Sequence, residues 1–177
     1  LKQAQSFHQQ GKFSEAEDLY RQLEKTEPNN PLFNSRLALL LSQTKRAHEA
    51  FQLIKLSLDV LPDNPDLLNQ GIAIATSLAE NKFSEQWLTK LIQLKPNELV
   101  LQEQLCGVFI ANHQEQKALE LSKAIIKQSP NSASAYNLKG LALSRLGDAD
   151  KGYKSFQKAL KLNPGQLAVI KNLLVYG

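Results

Sequence analysis

Few side chains in this 177-residue chain invite a chemical reading: three histidines, one cysteine and some closely spaced carboxylates. His8, His48 and His113 share no i, i+4 relation, and no Cys or carboxylate stands beside them at metal-ligand spacing. No metal site is therefore expected. Cys106 is the single cysteine, so no internal disulfide can form. A catalytic thiol needs a base and an electropositive, exposed setting, which nothing in the sequence arranges around it. It is read as an inert core thiol. Glu15 and Glu17 resemble an acid–base pair, but at the start of an expected helix they simply complement the dipole. No glycine-rich phosphate loop appears. Gly71, Gly107, Gly140 and Gly152 fall inside expected helices, where each is read as permitting close packing. No catalytic constellation emerges; the reading is a protein that is not an enzyme and takes no cofactor.

The bulk composition agrees with a folded binding protein. Apolar residues make up 42% of the chain and charged residues 21%, enough for a continuous core and too few charges for a disordered tail. The net charge is +4, unevenly spread. Residues 1–112 hold 11 basic against 13 acidic residues, and residues 113–177 hold 10 against 4. The asymmetry admits an acidic partner near the C-terminal end, although solvated outer helix faces are the simpler account. No apolar run reaches the roughly 18–20 residues that would span a membrane. The chain starts without Met and is expected to be a segment of a longer, bacterial protein. A missing signal peptide then says nothing about the compartment.

What positions these residues is a repeat. Pro28, Pro62, Pro96, Pro130 and Pro164 stand 34 residues apart along the whole chain. Such a period, closed by a proline that halts a helix, marks stacked helix-turn-helix units. With each proline set at position 32, the units are 1–30, 31–64, 65–98, 99–132 and 133–166, followed by a partial helix at 167–177, all in a single array. Position 8 then reads Ala4, Ala38, Ile72, Cys106, Gly140, and position 20 reads Ala16, Ala50, Ser84, Ala118, Gly152. Two antiparallel helices approach closely only where small residues face one another, and these positions supply them except at Ile72. Gly11-Lys12 and Gly147-Asp148 mark turns, while Asn30 and Asn64 are placed to cap the following helices. In unit 65–98, NKFSEQW sits two positions late relative to KFSEAED of 12–18, so a local distortion of helix or turn is expected there. Trp87 is assigned a packing role.

QGKFSEAEDLYRQLEKTEPNN (10–30) and AYNLKGLALSRLGDADKGYKSFQKALKLNP (135–164) carry Gly, aromatic, Ala or Gly, aromatic, then Pro in one order. In this the chain resembles tetratricopeptide repeat proteins over nearly its whole length. The resemblance implies an all-α, right-handed superhelix of antiparallel helix-turn-helix repeats. It also implies that first helices line a concave groove. Carried over, that groove holds Lys2, Gln5, Gln9, Arg36, Leu39, Gln43, Asn69, Gln70, Ala73 and Thr76, then Glu103, Gln104, Gly107, Ile110, Asn137, Leu141 and Arg145. Amides offer both donors and acceptors, so such a surface suits the backbone of an extended peptide. The carboxylate clamp of chaperone-binding members is not matched at Ser35, Asn69, Glu103 and Asn137.

The expected function is a protein–protein interaction scaffold binding a peptide or protein segment in that groove. The alternative is a non-catalytic, substrate-recruiting arm of a larger enzyme such as a glycosyltransferase or sulfotransferase. Nucleic acid is not expected as a partner, because the groove positions carry few aromatics and few cations. No membrane insertion is expected. Ile170, Leu173 and Leu174 keep core phase in a helix with no following helix to cover them, so self-association through that face is anticipated.

Overall fold

The computed structural model describes residues 1–176, and within them every regular element is an α-helix. The chain forms two compact units, Leu1–Leu94 and Lys95–Gly177. The first contains α1 (Lys2–Gln9), α2 (Phe13–Thr26), α3 (Pro31–Gln43), α4 (Ala47–Val60), α5 (Pro65–Ser77) and α6 (Asn81–Leu94). The second contains α7 (Leu99–Ala111), α8 (Glu115–Gln128), α9 (Ala133–Arg145), α10 (Ala149–Leu162) and α11 (Leu167–Tyr176). Within each unit successive helices pack as hairpins, and each hairpin packs on the next.

The 34-residue period is met in the same way each time. A first helix of 13 residues, in α3, α5, α7 and α9, leads through a three-residue turn to a second helix of 14. The second helices stop at Thr26, Val60, Leu94, Gln128 and Leu162, two residues before each proline. Asn30 and Asn64 cap α3 and α5, each accepting from backbone N–H groups of the first turn, while Pro31 and Pro65 occupy the turn where a missing N–H costs nothing. Ser132 caps α9 in the same manner.

The turns share one backbone solution. In each, the N–H after the turn apex reaches back to a carbonyl five residues earlier: Lys12 to Phe7, Arg46 to Leu41, Glu80 to Ala75, Gln114 to Phe109 and Asp148 to Leu143. That closure demands a left-handed residue at the apex. Gly11 (φ 75°) and Gly147 (φ 88°) supply it freely, whereas Lys45 (φ 64°), Ala79 (φ 56°) and His113 (φ 56°) adopt it with a side chain attached.

Small residues meet between the paired helices as their spacing demands. Ala4, Ala16, Ala38, Ala50, Cys106 and Ala118 are fully buried, and the Cys106 Sγ lies 3.2 Å from the Ala118 carbonyl oxygen. The tightest approach is between α9 and α10. A Cβ on Gly152 would sit 2.2 Å from Ser144 Oγ, and one on Gly140 would sit 2.5 Å from the Phe156 ring. Glycine at both positions is a packing requirement. Gly71 is similarly closed off by Trp87 and Ile54. Gly107 is not: nothing lies within 4 Å of the Cβ it lacks, so the close packing expected of it is absent.

The distortion expected in unit 65–98 does not occur. α5 and α6 have the lengths and start points of the other hairpins. Helix ends are fixed by the turn closure and the buried Ser84, Leu88 and Leu91, which stay in phase. The two-residue shift instead moves Phe83 around α6, where it meets Phe51 and the buried Trp87 with ring centroids 5.1 and 5.4 Å away. Along α11, Val169 is fully buried and packs with Leu173 and Tyr176 near Phe156, leaving Ile170 and Leu174 exposed.

Candidate functional site

First helices present one face to their hairpin partner and another outward, and the groove residues implied by the sequence fall on the outward side to differing degrees. On α1, Lys2 and Gln9 are exposed and Gln5 is half-buried. Arg36 and Gln43 follow on α3, then Asn69, Gln70 and Thr76 on α5. Thr76 is exposed, with its hydroxyl 3.4 Å from Ser84 Oγ. In the second unit, Gln104 is exposed on α7, and Arg145 is exposed at the end of α9. Asn137 is buried, not presented as the sequence implied, because α11 covers it.

Several of these polar groups are engaged in tying neighbouring first helices together. His8 Nε2 and Gln43 Oε1 lie 2.8 Å apart between α1 and α3. Gln70 Nε2 donates to the Ser35 carbonyl at 3.0 Å between α5 and α3. Arg145 donates to the Ile110 carbonyl at 2.7 Å between α9 and α7, and Asn172 Nδ2 donates to Asn137 Oδ1 at 2.8 Å between α11 and α9. Every one of these pairs is 35 residues apart. One period plus one residue is the offset at which adjacent first helices come level. The signal was present in the sequence as polar pairs at that spacing, but it is visible only once the stacking offset is known.

On the first unit a cleft of about 630 Å³ lies between α3 and α5. Arg36, Leu39, Asn69, Gln70 and Ala73, five of the implied groove residues, line it together. Ser35, Ser42, Asn64 and Asp66, none of them among the implied groove residues, complete its polar lining. Leu32 and Leu67 add apolar surface. The exposed Asn69 amide and the remaining Gln70 oxygen offer both a donor and an acceptor to an extended backbone. The Arg36 Nε is buried without a hydrogen-bond partner among the described residues.

Two of the side chains first weighed for chemistry, His8 and Cys106, are engaged in packing. His8 packs edge-on against Phe13 and Tyr20 besides bonding Gln43. Cys106 is fully buried; burial, with the nearby Glu103 charge, pushes its thiol up to about 12. Among the described residues no three His, Cys, Asp or Glu side chains gather closely enough to hold a metal. No helix there is long and apolar enough to cross a membrane. Glu17 joins Arg21 and Arg46, while Glu49 joins the same two arginines, so that four charges from α2, α4 and the residue preceding α4 close a ring. Partial burial pushes both carboxyls up, but the arginine hydrogen bonds and charges outweigh it and hold each below the usual carboxylate range.

This repeating hairpin with its outward polar face defines a helical-repeat interaction scaffold. Family models described as tetratricopeptide repeat match residues 1–65 and 133–166, together more than half of the chain. The chain belongs to the tetratricopeptide repeat family. It is 32% identical over 91 residues to human Tetratricopeptide repeat protein 33, a match covering 50% of this chain and 35% of that protein. The chain thus spans about a third of the length of that relative. Among solved structures it is similar to YrrB, described as a TPR protein with an unusual peptide-binding site, with a TM-score of 0.81 at 16% identity, covering 95% of this chain and 87% of that one. It is also similar to MamA, with a TM-score of 0.76 at 21% identity over 93% of this chain and 90% of that one. A MamA fragment from Desulfovibrio magneticus RS-1 gives 0.68 at 22% identity, with 82% of each chain covered. At such identities these likenesses define the fold. That fold supports a role in protein–protein interaction.

Proposed function

We propose that the chain is a scaffold that binds an extended peptide or protein segment along the outward faces of its first helices, with the α3–α5 cleft as the principal seat. The observation that carries this is the convergence of Arg36, Leu39, Asn69, Gln70 and Ala73 on one concave surface. Concave sites with a few polar groups on an apolar floor are where ligands dock. Ala73 leaves room for a backbone to approach, and Asn69 supplies the amide that pairs with it. The solved relative whose title gives a peptide-binding site lends support by its likeness in fold.

Selection of a displayed peptide library on the full chain tests the reading. Enriched peptides should lose about tenfold or more in affinity with Arg36→Ala/Asn69→Ala, the loss expected when two polar anchors go. Equal binding by that variant, with helicity unchanged, would place the seat elsewhere. Self-association is a second contact the surface supports, through Leu167, Leu174 and Val175, which stand 80%, 83% and 63% exposed on α11. Light scattering across a concentration series should show association that Leu174→Lys removes.

A further inference from the structure

A second cleft, of about 740 Å³, lies on the other side of the second unit. α8 and α10 form its walls and α9 its floor. Tyr136, Lys139 and Leu143 on that floor occupy the face of α9 opposite Asn137 and Arg145, as the helical period requires. Its lining is strongly one-signed. Lys123, Lys139, Lys151, Lys154 and Lys158 face a single carboxylate, Asp148, which is already paired with Lys151 and lies within the influence of Lys154. Lys123, Lys139 and Lys154 have no carboxylate within ion-pair distance among the described residues. Beneath the lysines, Leu119, Leu143 and the half-exposed Leu146 give an apolar base.

We propose that this cleft docks an acidic segment of a partner protein, one in which several carboxylates alternate with one or two apolar side chains. Five cations within one concavity, over low-dielectric side chains, concentrate a positive potential that exposed lysines on a convex surface would lose to water. Leucines at the base and ammonium groups at the rim match a chain whose apolar residues point inward and whose carboxylates spread along the edges. The cations are all lysines, separate point charges without the fork that grips a phosphate in two places. They suit charges strung along a backbone. Single-stranded nucleic acid would need open aromatic faces, but the one ring of the cleft, Tyr136, already has Lys158 Nζ over it at 5.9 Å. An anionic membrane is flat, whereas Leu119 and Leu143 of this apolar base are buried between the helices.

The test is fluorescence anisotropy of the full chain with three labelled probes at one ionic strength. They are a peptide of alternating Asp, Glu and Leu, a single-stranded oligonucleotide of equal charge, and vesicles of phosphatidylserine and phosphatidylcholine. The acidic peptide should bind most tightly and weaken roughly tenfold or more with Lys123→Glu/Lys154→Glu. An Asn/Gln version of the peptide should not bind. Lys123→Arg/Lys154→Arg should retain binding, and so should Arg36→Ala/Asn69→Ala, which separates this site from the α3–α5 cleft. No binding of the acidic peptide would overturn the proposal. So would equal binding by the charge-reversed variant with unchanged helicity, or a preference for the oligonucleotide or the vesicles.

Discussion

The left-handed turn apexes test how far a single backbone angle costs stability. Lys45, Ala79 and His113 hold the conformation that glycine holds at Gly11 and Gly147. Placing a side chain there crowds the carbonyl, while glycine is freer in the unfolded chain, so the net gain is smaller than the strain itself. Ala79→Gly should raise unfolding free energy by roughly 0.5–1 kcal/mol, measured by urea denaturation. The glycines of the second unit make an opposing pair. Gly140→Ala should destabilise by about 1–3 kcal/mol, because its Cβ would enter the Phe156 ring. Gly107→Ala, which meets open space in mid-helix, should stabilise by roughly 0.5–1 kcal/mol. Equal effects at the two positions would contradict the packing described. The repeat frame already separates them, Gly140 at the small-residue position between paired helices and Gly107 one residue past it, but only the neighbouring Phe156 ring shows how tightly the first is closed.

Between elements, the small-residue contact and the charge ring are separable contributions. Ala50 is fully buried where α4 meets α3, so Ala50→Leu should cost roughly 1–3 kcal/mol through overpacking. The ring of Glu17, Arg21, Arg46 and Glu49 makes a pH-dependent contribution of known sign. Its two carboxyls are lowered in the folded state, so folding leaves fewer protons bound on them than unfolding does. Their stabilisation is present above the unfolded value of about 4.3 and is lost as pH falls through the folded values. Thermal melts from pH 7 to pH 3 should therefore show a steeper acid loss for wild type than for Glu17→Gln/Glu49→Gln. The expected size is modest because these side chains are 20–39% exposed and salt screens them.

Within each unit, each helix touches chiefly its neighbours in sequence, so a defect should stay local. Val169→Ala removes a fully buried side chain from the α10–α11 contact. Amide exchange should quicken in α10 and α11 while α1–α4 keep their protection. The repeat itself was written in the sequence. The proline period, the small residues at facing positions and the capping Asn30 and Asn64 are local rules, and each acts through its own turn or helix. Helix limits and the facing of Cys106 and Ala118 follow from them. Whether an outward amide is free for a ligand or spent on a neighbour was not legible, because it depends on how far one hairpin slides on the next. The 35-residue offset engages Gln43, Gln70 and Arg145 and buries Asn137, while Asn69 stays open. Likewise the sequence showed an excess of lysine after residue 112, but only the packing of α8, α9 and α10 gathers five of them around one concavity. Periodicity fixes which residues share a helix face; the distance between faces is set by side chains that meet only when the chain is folded.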